Sequence, residues 1–129
     1  MREIKFRGKD IQTGEWVVGD LHTLCDRPHI HTAPSSFPYA GKRSFIDPET
    51  IGQYTGLKDK NYKEIYEGDI LEVSYVDEAS YLEVRFVRGV FAFLWDGDLD
   101  DEFPCNAPTH EWARVVGNIH DNPERIKNR

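Results

Sequence analysis

Residues 46–61 have the sequence IDPETIGQYTGLKDKN, and residues 64–70 continue with EIYEGDI. The stretch alternates turn-forming residues with β-branched and aromatic ones, which is typical of short strands joined by tight turns. Asp47 followed by Pro48 predicts one short helical turn, with the aspartate as its cap and the proline at its first position. The polar turn at residues 58–61 predicts a domain boundary. Nothing in the stretch sets a nucleophile beside a base, so it points to a scaffold rather than to a reaction.

The composition of the whole chain favours a β protein with one domain or two small ones. The chain has 129 residues, of which 12% are aromatic. A chain of this length buries roughly two-thirds of its unfolded surface and needs no disulfide or metal to fold. Helical periodicity is weak throughout, so no long helix is expected.

The charge and the cysteines narrow the possible partners and the compartment. The formal net charge is −7, which argues against nucleic acid as a partner unless a local basic patch forms. The two cysteines, Cys25 and Cys105, are far apart and belong to no CxxC motif. We therefore expect free thiols in a reducing cytoplasm. The charged start and the lack of a long apolar stretch predict neither a signal peptide nor a membrane span.

The order of the segments predicts a hairpin, a long loop and a strand meander. Alternation at residues 4–7 and 15–21 predicts an N-terminal β-hairpin. Residues 25–44 contain three prolines together with Ser35, Ser36 and Gly41, and this composition predicts a loosely ordered loop. From residue 69 to residue 120, short strands separated by polar turns predict a small barrel or a sandwich.

Several motifs in order resemble the YopX family of phage and prophage proteins. The matching pieces are REIKFR at residues 2–7, the DPET and TGL pieces of the opening stretch, EIYEGDI at 64–70 and the GNI and NPE pieces of residues 117–124. The resemblance implies a mainly β fold, in which an N-terminal β-hairpin region packs on a C-terminal SH3-like small β-barrel. With it we predict an N-terminal region at 1–60 with its loop at 25–44, a barrel at 61–124 and a tail at 125–129.

The family has no assigned activity, so the resemblance implies no catalytic, cofactor-binding or metal-binding residue. We expect a non-enzymatic protein-interaction module that associates with itself and with a phage or host protein in the bacterial cytoplasm. A nucleic-acid-binding module of phage replication and a metal-dependent enzyme are the alternatives. No cofactor is expected. Residues 22–44 and 96–111 do not match the family's motifs, and we expect these two segments to recognise the partner.

The candidate metal ligands are few and poorly spaced. His22, Cys25, His29 and His31 fall within ten residues, and cysteine and histidine are the usual zinc ligands. The paired short spacing of a structural zinc site is missing, so a polar loop that holds three histidines is the preferred interpretation. Cys105 and His110 are residues that would complete such a site.

The remaining candidates have structural explanations. The acidic loop at residues 96–102 starts in the register of a calcium-binding loop, but Asp101 stands where glycine is needed, which favours a solvated loop. Asp47 with Glu49, or Glu64 and Glu67 with Asp69, would serve as acid and base only in a cleft that separates their pKa values. The alternating aromatics Phe91, Phe93 and Trp95 lack interleaved basic residues, so core packing or a subunit interface explains them better than base stacking.

Overall fold

The computed structural model describes residues 3–24, 26–32, 42–75, 78–105 and 108–126, without the side chains of residues 24 and 75. It contains eleven described strands: β1 (Phe6–Lys9), β2 (Trp16–Leu24), β3 (Arg27–Thr32), β4 (Lys42–Phe45), β5 (Gly52–Lys58), β6 (Glu64–Tyr66), β7 (Asp69–Tyr75), β8 (Glu78–Val87), β9 (Val90–Trp95), β10 (Glu102–Pro104) and β11 (Arg114–Asn118). Short 3₁₀ turns cover Pro48–Thr50, Pro108–Glu111 and Pro123–Arg125. No α-helix occurs in these ranges, so the prediction of a mainly β protein is confirmed.

The strands form two antiparallel sheets. The six-stranded sheet has the order β4-β3-β2-β1-β5-β6, and the five-stranded sheet has the order β10-β9-β8-β7-β11. Within the described residues β10 and β11 are the two edges of the second sheet and do not pair with each other. That sheet is therefore open in the described part of the chain, and the predicted SH3-like barrel is not confirmed.

The chain divides into two compact units, residues 1–54 and residues 55–129. Strand β5 begins in the first unit and ends in the second. The domain bounds predicted from the sequence, with a division at residue 60 and a tail from residue 125, stay a prediction.

The first unit begins with the predicted hairpin. Strands β1 and β2 pair in the register Phe6 to Gly19 and Lys9 to Trp16, which confirms the strands expected from the alternation. Asp10 closes the connection, because its Oδ1 accepts the amide protons of Gln12 at 2.7 Å and Thr13 at 3.2 Å. The hydrogen bond from the Gln12 amide has the largest effect on Asp10, and together these bonds hold the pKa of Asp10 below its ordinary value.

The segment predicted as a loosely ordered loop at residues 25–44 is partly strand, so that prediction is wrong for residues 27–32 and 42–44. Strand β3 pairs with β2 on one side and with β4 on the other. Pro28 lies at the second position of β3, and its carbonyl accepts the amide proton of Ile46. Ile30 is fully buried, and its sequence neighbours His29 and His31 lie on the opposite face of the strand. This period of two outweighs the turn propensity of the prolines. Residues 25 and 33–41 lie outside the described residues.

The second unit has its core on one face of the five-stranded sheet. The buried cluster contains Ile65, Leu71, Val73, Leu82, Val84, Phe93, Cys105 and Ala113. Phe91 and Trp95 pack against it, half-buried. The alternating aromatic stripe of β9 therefore packs on the core, which is one of the two explanations that the sequence predicted, and none of its three rings is exposed.

The 3₁₀ turn after residue 47 forms as predicted. Asp47 has an extended backbone and its Oδ1 accepts the amide proton of Glu49 at 3.1 Å, and Pro48 takes the first position. Thr50 ties this turn to β1, since its hydroxyl oxygen accepts the amide proton of Lys9 at 2.9 Å. The acidic groups Asp47 and Glu49 thus serve as a cap and a first-turn residue of a structural turn.

Candidate functional site

The three predicted histidines come together on one face of the first unit. His22 on β2 and His29 on β3 are cross-strand partners, and their rings stack with centroids 5.4 Å apart and planes inclined by 16°. The ring of His31 meets that of His22 edge-on at 6.2 Å. Cys25, the fourth candidate ligand, lies outside the described residues. The structure therefore places three of the four candidate residues in one cluster.

The surroundings of His29 favour its neutral form. The ring is buried, with 6% of the residue exposed, and its Nδ1 has no hydrogen-bond partner among the described residues. Burial, with the nearby His22, Arg43 and His31, lowers the pKa of His29 below its ordinary value. Neutral imidazole can bind a metal ion, but within the described ranges no three His, Cys, Asp or Glu residues converge as a ligand set.

The histidines belong to a larger cationic face, which we define by Lys5, Arg7, Lys9, Trp16, His22, Arg27, His29, His31, Arg43 and Phe45. The register of the strands generates it. Arg7 lies opposite Val18, and His22 opposite His29. His31 in turn lies opposite Arg43. Because alternate residues of a strand share a face, these positions lie on one side of the sheet.

Aromatic rings lie beneath several of these cations. The guanidinium carbon of Arg7 lies 4.7 Å from the ring centroid of Trp16, and Nζ of Lys9 lies 5.5 Å from it. Arg27 covers the ring of Phe45 at 4.4 Å. Such contacts hold the cations in place and leave their charge able to attract an anion.

A second candidate site is an apolar cleft in the second unit. It is lined by Thr55, Leu57, Val90, Phe91, Pro104 and Cys105, and has a volume of about 280 Å³. Phe86 borders it, because its ring meets that of Phe91 edge-on at 5.2 Å. Phe86 and Val90 are each 52% exposed. We call the cleft together with Phe86 the apolar cleft surface.

Cys105 at the base of this cleft is a poor nucleophile. It forms no disulfide, as the sequence predicted for it. Burial raises the pKa of its thiol to about 12, and the thiolate is the reactive form of cysteine. The cleft therefore offers an apolar surface and no activated thiol.

The acidic loop at residues 96–102 folds on its own backbone. Asp96 and Gly97 adopt left-handed conformations, with φ of 51° and 76°. Oδ1 of Asp98 accepts the amide proton of Asp100 at 2.9 Å, and the amide of Asp101 donates to the Asp98 carbonyl. At least one carboxylate of the loop is thus used inside the turn.

The remaining carboxylates near the opening stretch also have structural partners. Oδ2 of Asp69, which is 1% exposed, accepts the amide proton of Tyr66 at 2.7 Å. Oε1 of Glu64 accepts a hydrogen bond from the Tyr66 hydroxyl at 3.3 Å. Glu64, Glu67 and Asp69 therefore stand around a tight turn, which is where the sequence placed Asp69.

Sequence reasoning missed two buried carboxylates in the second unit. Asp59 is buried and its two oxygens accept amide protons from Asn61, Lys63 and Val115. Glu83 is fully buried and forms a bidentate pair with Arg85, at 2.8 and 3.0 Å. The spacing of Glu83 and Arg85, two residues apart on one strand, was the available signal. The long-range bond of Asp59 to Val115 had none.

The cationic face was also missed, although its signal was present. Lys5, Arg7 and Lys9 repeat with a period of two, as do Arg27, His29 and His31. Each run predicts one basic side of a strand. Only the pairing of the strands shows that the two sides are the same side of one sheet.

These observations define a class of protein: a mainly β chain with two antiparallel sheets, whose described residues include no helix long and apolar enough to cross a membrane. The chain belongs to the YopX family, whose description is YopX protein and which matches residues 5–127. The resemblance seen in the sequence is thereby confirmed.

Among solved structures, a similar fold is found over nearly the full length of the chain. One such structure is the crystal structure of protein EF1440 from Enterococcus faecalis, with 25% sequence identity and a TM-score of 0.58. The match covers 98% of this chain and 100% of that chain. No curated protein matches this chain.

Proposed function

We propose that this protein is a non-enzymatic interaction module that self-associates through the apolar cleft surface, in the cytoplasm of bacteria that carry the phage or prophage encoding it. The observation that carries the proposal is the pair of half-exposed apolar side chains, Phe86 and Val90, beside an apolar cleft. Exposed apolar groups that cluster around a recess are typical of protein interfaces.

The arrangement is self-complementary. A two-fold interface brings the same patch of both subunits together, so that a projecting group of one meets a recess of the other. Phe86 projects beside the cleft, and Phe91 forms part of the cleft wall. In a dimer of this kind Phe86 of each copy enters the cleft of the other. Arg88 at the tip is paired with Glu102, so the charge beside the patch is already compensated.

We also propose that the second unit is SH3-like. In such folds a meander of strands is completed by a last strand that pairs with the first of the meander. Here β7 to β10 form the meander and β11 pairs with β7. A 3₁₀ turn at Pro108–Glu111 precedes β11. Both features support the proposal. In an SH3-like barrel the two edge strands, β10 and β11, would approach each other.

The test is the molar mass in solution as a function of concentration. Burying the exposed half of Phe86 contributes about 1 kcal/mol per copy, and two copies contribute about 2 kcal/mol. We therefore expect Phe86→Ser to weaken dimerisation by roughly 30-fold in sedimentation equilibrium. Leu99→Ser is the matched control, because Leu99 is 50% exposed but lies in the acidic loop.

A monomeric wild type from micromolar concentration upward would refute self-association. Equal weakening by Phe86→Ser and Leu99→Ser would refute the assignment to the apolar cleft surface. Circular dichroism of both variants separates a loss of the interface from a loss of the fold.

A further inference from the structure

The cationic face sits on a unit whose charge differs sharply from that of the whole chain. Residues 55–129 contain nine Lys and Arg against sixteen Asp and Glu, whereas residues 1–54 contain seven of each. The whole net charge of −7 therefore belongs to the second unit. The first unit carries no net negative charge that would repel nucleic acid.

Within the first unit the two signs are also separated. Strands β1, β3 and β4 contribute Arg7, Lys9, Arg27 and Arg43 to the cationic face. Asp20, opposite His31, is the strand carboxylate on that side, and Glu3 pairs with Lys5 at 3.3 Å. The other acidic residues of the described part lie in turns, where Asp10 and Asp47 accept backbone amides. The face thus keeps an excess of positive charge.

We propose that the cationic face binds single-stranded nucleic acid. Phosphates would meet Arg27 and Arg43, which are exposed, together with the cations of β1. Phosphate contacts of this kind supply most of the affinity of such complexes. Bases would stack on the exposed ring of His22, which already stacks on a second imidazole, and on the Arg27 guanidinium that covers the ring of Phe45.

The geometry favours a single strand over a duplex. Direct reading of a duplex needs a helix or a two-stranded ribbon that enters the major groove, and the face is a sheet of four strands, each about 4.8 Å from the next. Rings interleaved with cations suit unpaired bases and phosphates together. An acidic peptide would use the cations alone and gain nothing from the rings.

Fluorescence anisotropy of a fluorescein-labelled oligothymidylate of about 20 nucleotides tests the proposal, with the full chain and with salt from about 25 to 200 mM. We expect saturable binding at low salt. Arg27→Gln with Arg43→Gln should weaken it by at least about tenfold at low salt. The slope of log K against log salt should fall by about 1.4, because each phosphate contact on a single strand contributes roughly 0.7.

The matched control is Lys58→Gln with Lys60→Gln, which removes the same charge from exposed positions of the second unit. It should leave affinity and slope unchanged. Phe45→Leu keeps an apolar side chain and should weaken binding without changing the slope, since it removes the ring that holds the Arg27 guanidinium in place and removes no charge.

Three results would overturn the proposal. The first is no saturable binding by the folded wild type at the lowest salt. The second is equal weakening by the two double variants, which would mean general charge attraction. The third is competition by polyglutamate or by duplex DNA of equal length as strong as that by unlabelled oligothymidylate, which would assign the face to an acidic polypeptide or to a duplex.

Discussion

Replacing Asp59 by asparagine should strongly destabilise the protein, because this buried carboxylate accepts three backbone amide protons. Oδ1 of Asp59 accepts the amide protons of Asn61 at 2.8 Å and Lys63 at 2.9 Å. Oδ2 accepts that of Val115 at 2.8 Å. One carboxylate thus joins the turn after β5 to strand β11, across 56 positions of sequence.

The magnitude follows from counting these bonds. In Asp59→Asn the new NH₂ group faces a backbone N–H wherever it points, so at least one hydrogen bond is lost and a buried donor stays unpaired. The others become bonds to a neutral acceptor. A bond to a charged group contributes about 1.5–3 kcal/mol and one to a neutral group about 0.5–1.5 kcal/mol. We expect a loss of about 2–4 kcal/mol in the free energy of unfolding, and for a chain of this size a fall of roughly 8–15 °C in Tm.

Urea unfolding followed by circular dichroism and tryptophan fluorescence measures this loss. The control is Asp98→Asn, because Oδ1 of the half-buried Asp98 accepts a single amide proton in a solvent-exposed hydrogen bond and the change should alter stability by less than about 0.5 kcal/mol. A midpoint for Asp59→Asn within the range of that control would refute the reasoning.

The pH dependence gives a second, independent readout of Asp59. Burial alone would raise the pKa of Asp59, but the amides of Val115, Lys63 and Asn61 outweigh it and the pKa lies below its ordinary value of 3.8. The unfolded chain therefore binds the proton more readily, so the stabilisation is complete above about pH 4 and is lost as the pH falls through the folded pKa. Wild type should lose more stability than Asp59→Asn between about pH 5 and pH 2. Parallel curves for the two proteins would contradict this account.

Three further predictions concern buried groups. Glu83→Gln breaks a buried pair and should cost about 2–4 kcal/mol in urea unfolding, whereas Glu72→Gln, in a pair with an exposed arginine, should cost less than about 1 kcal/mol; equal losses would contradict the role of burial. Cys105 should resist alkylation at pH 8 in the folded protein and react in urea, because burial raises its pKa to about 12. Site-resolved mass spectrometry measures the labelling, and equal labelling rates with and without urea would contradict this prediction. Gly19→Ala places a methyl group against the backbone carbonyl of His31 and should cost about 1–3 kcal/mol by overpacking; an unchanged midpoint would mean that β2 and β3 separate freely.

Local patterns predicted the local structures well. Asp47 and Pro48 predicted the 3₁₀ turn at Pro48–Thr50, because a capping side chain and a fixed φ act within three residues. The alternation at residues 4–7 and 15–21 predicted the first hairpin. Of the two explanations predicted for the aromatic stripe of β9, the core or a subunit interface, the structure shows packing on the core.

Predictions failed where distant segments decide the outcome. The proline-rich composition of residues 25–44 predicts a loop, yet β2 and β4 pair with β3 from both sides. The total charge predicts that nucleic acid is not a partner, and this stays a prediction; the excess of acid lies after residue 54. His22, His29 and His31 were seen as neighbours in sequence, but their stacked arrangement depends on the register of two strands.

The sequence by itself determined the family, the mainly β character and the turns, since these depend on residues close together in the chain or on a long series of motifs. Only the tertiary structure decided which side of each sheet carries the cations, where Phe86 meets a cleft and how Asp59 reaches Val115. The physical reason is that strand register joins residues tens of positions apart, and a shift of one residue would turn every side chain to the other face.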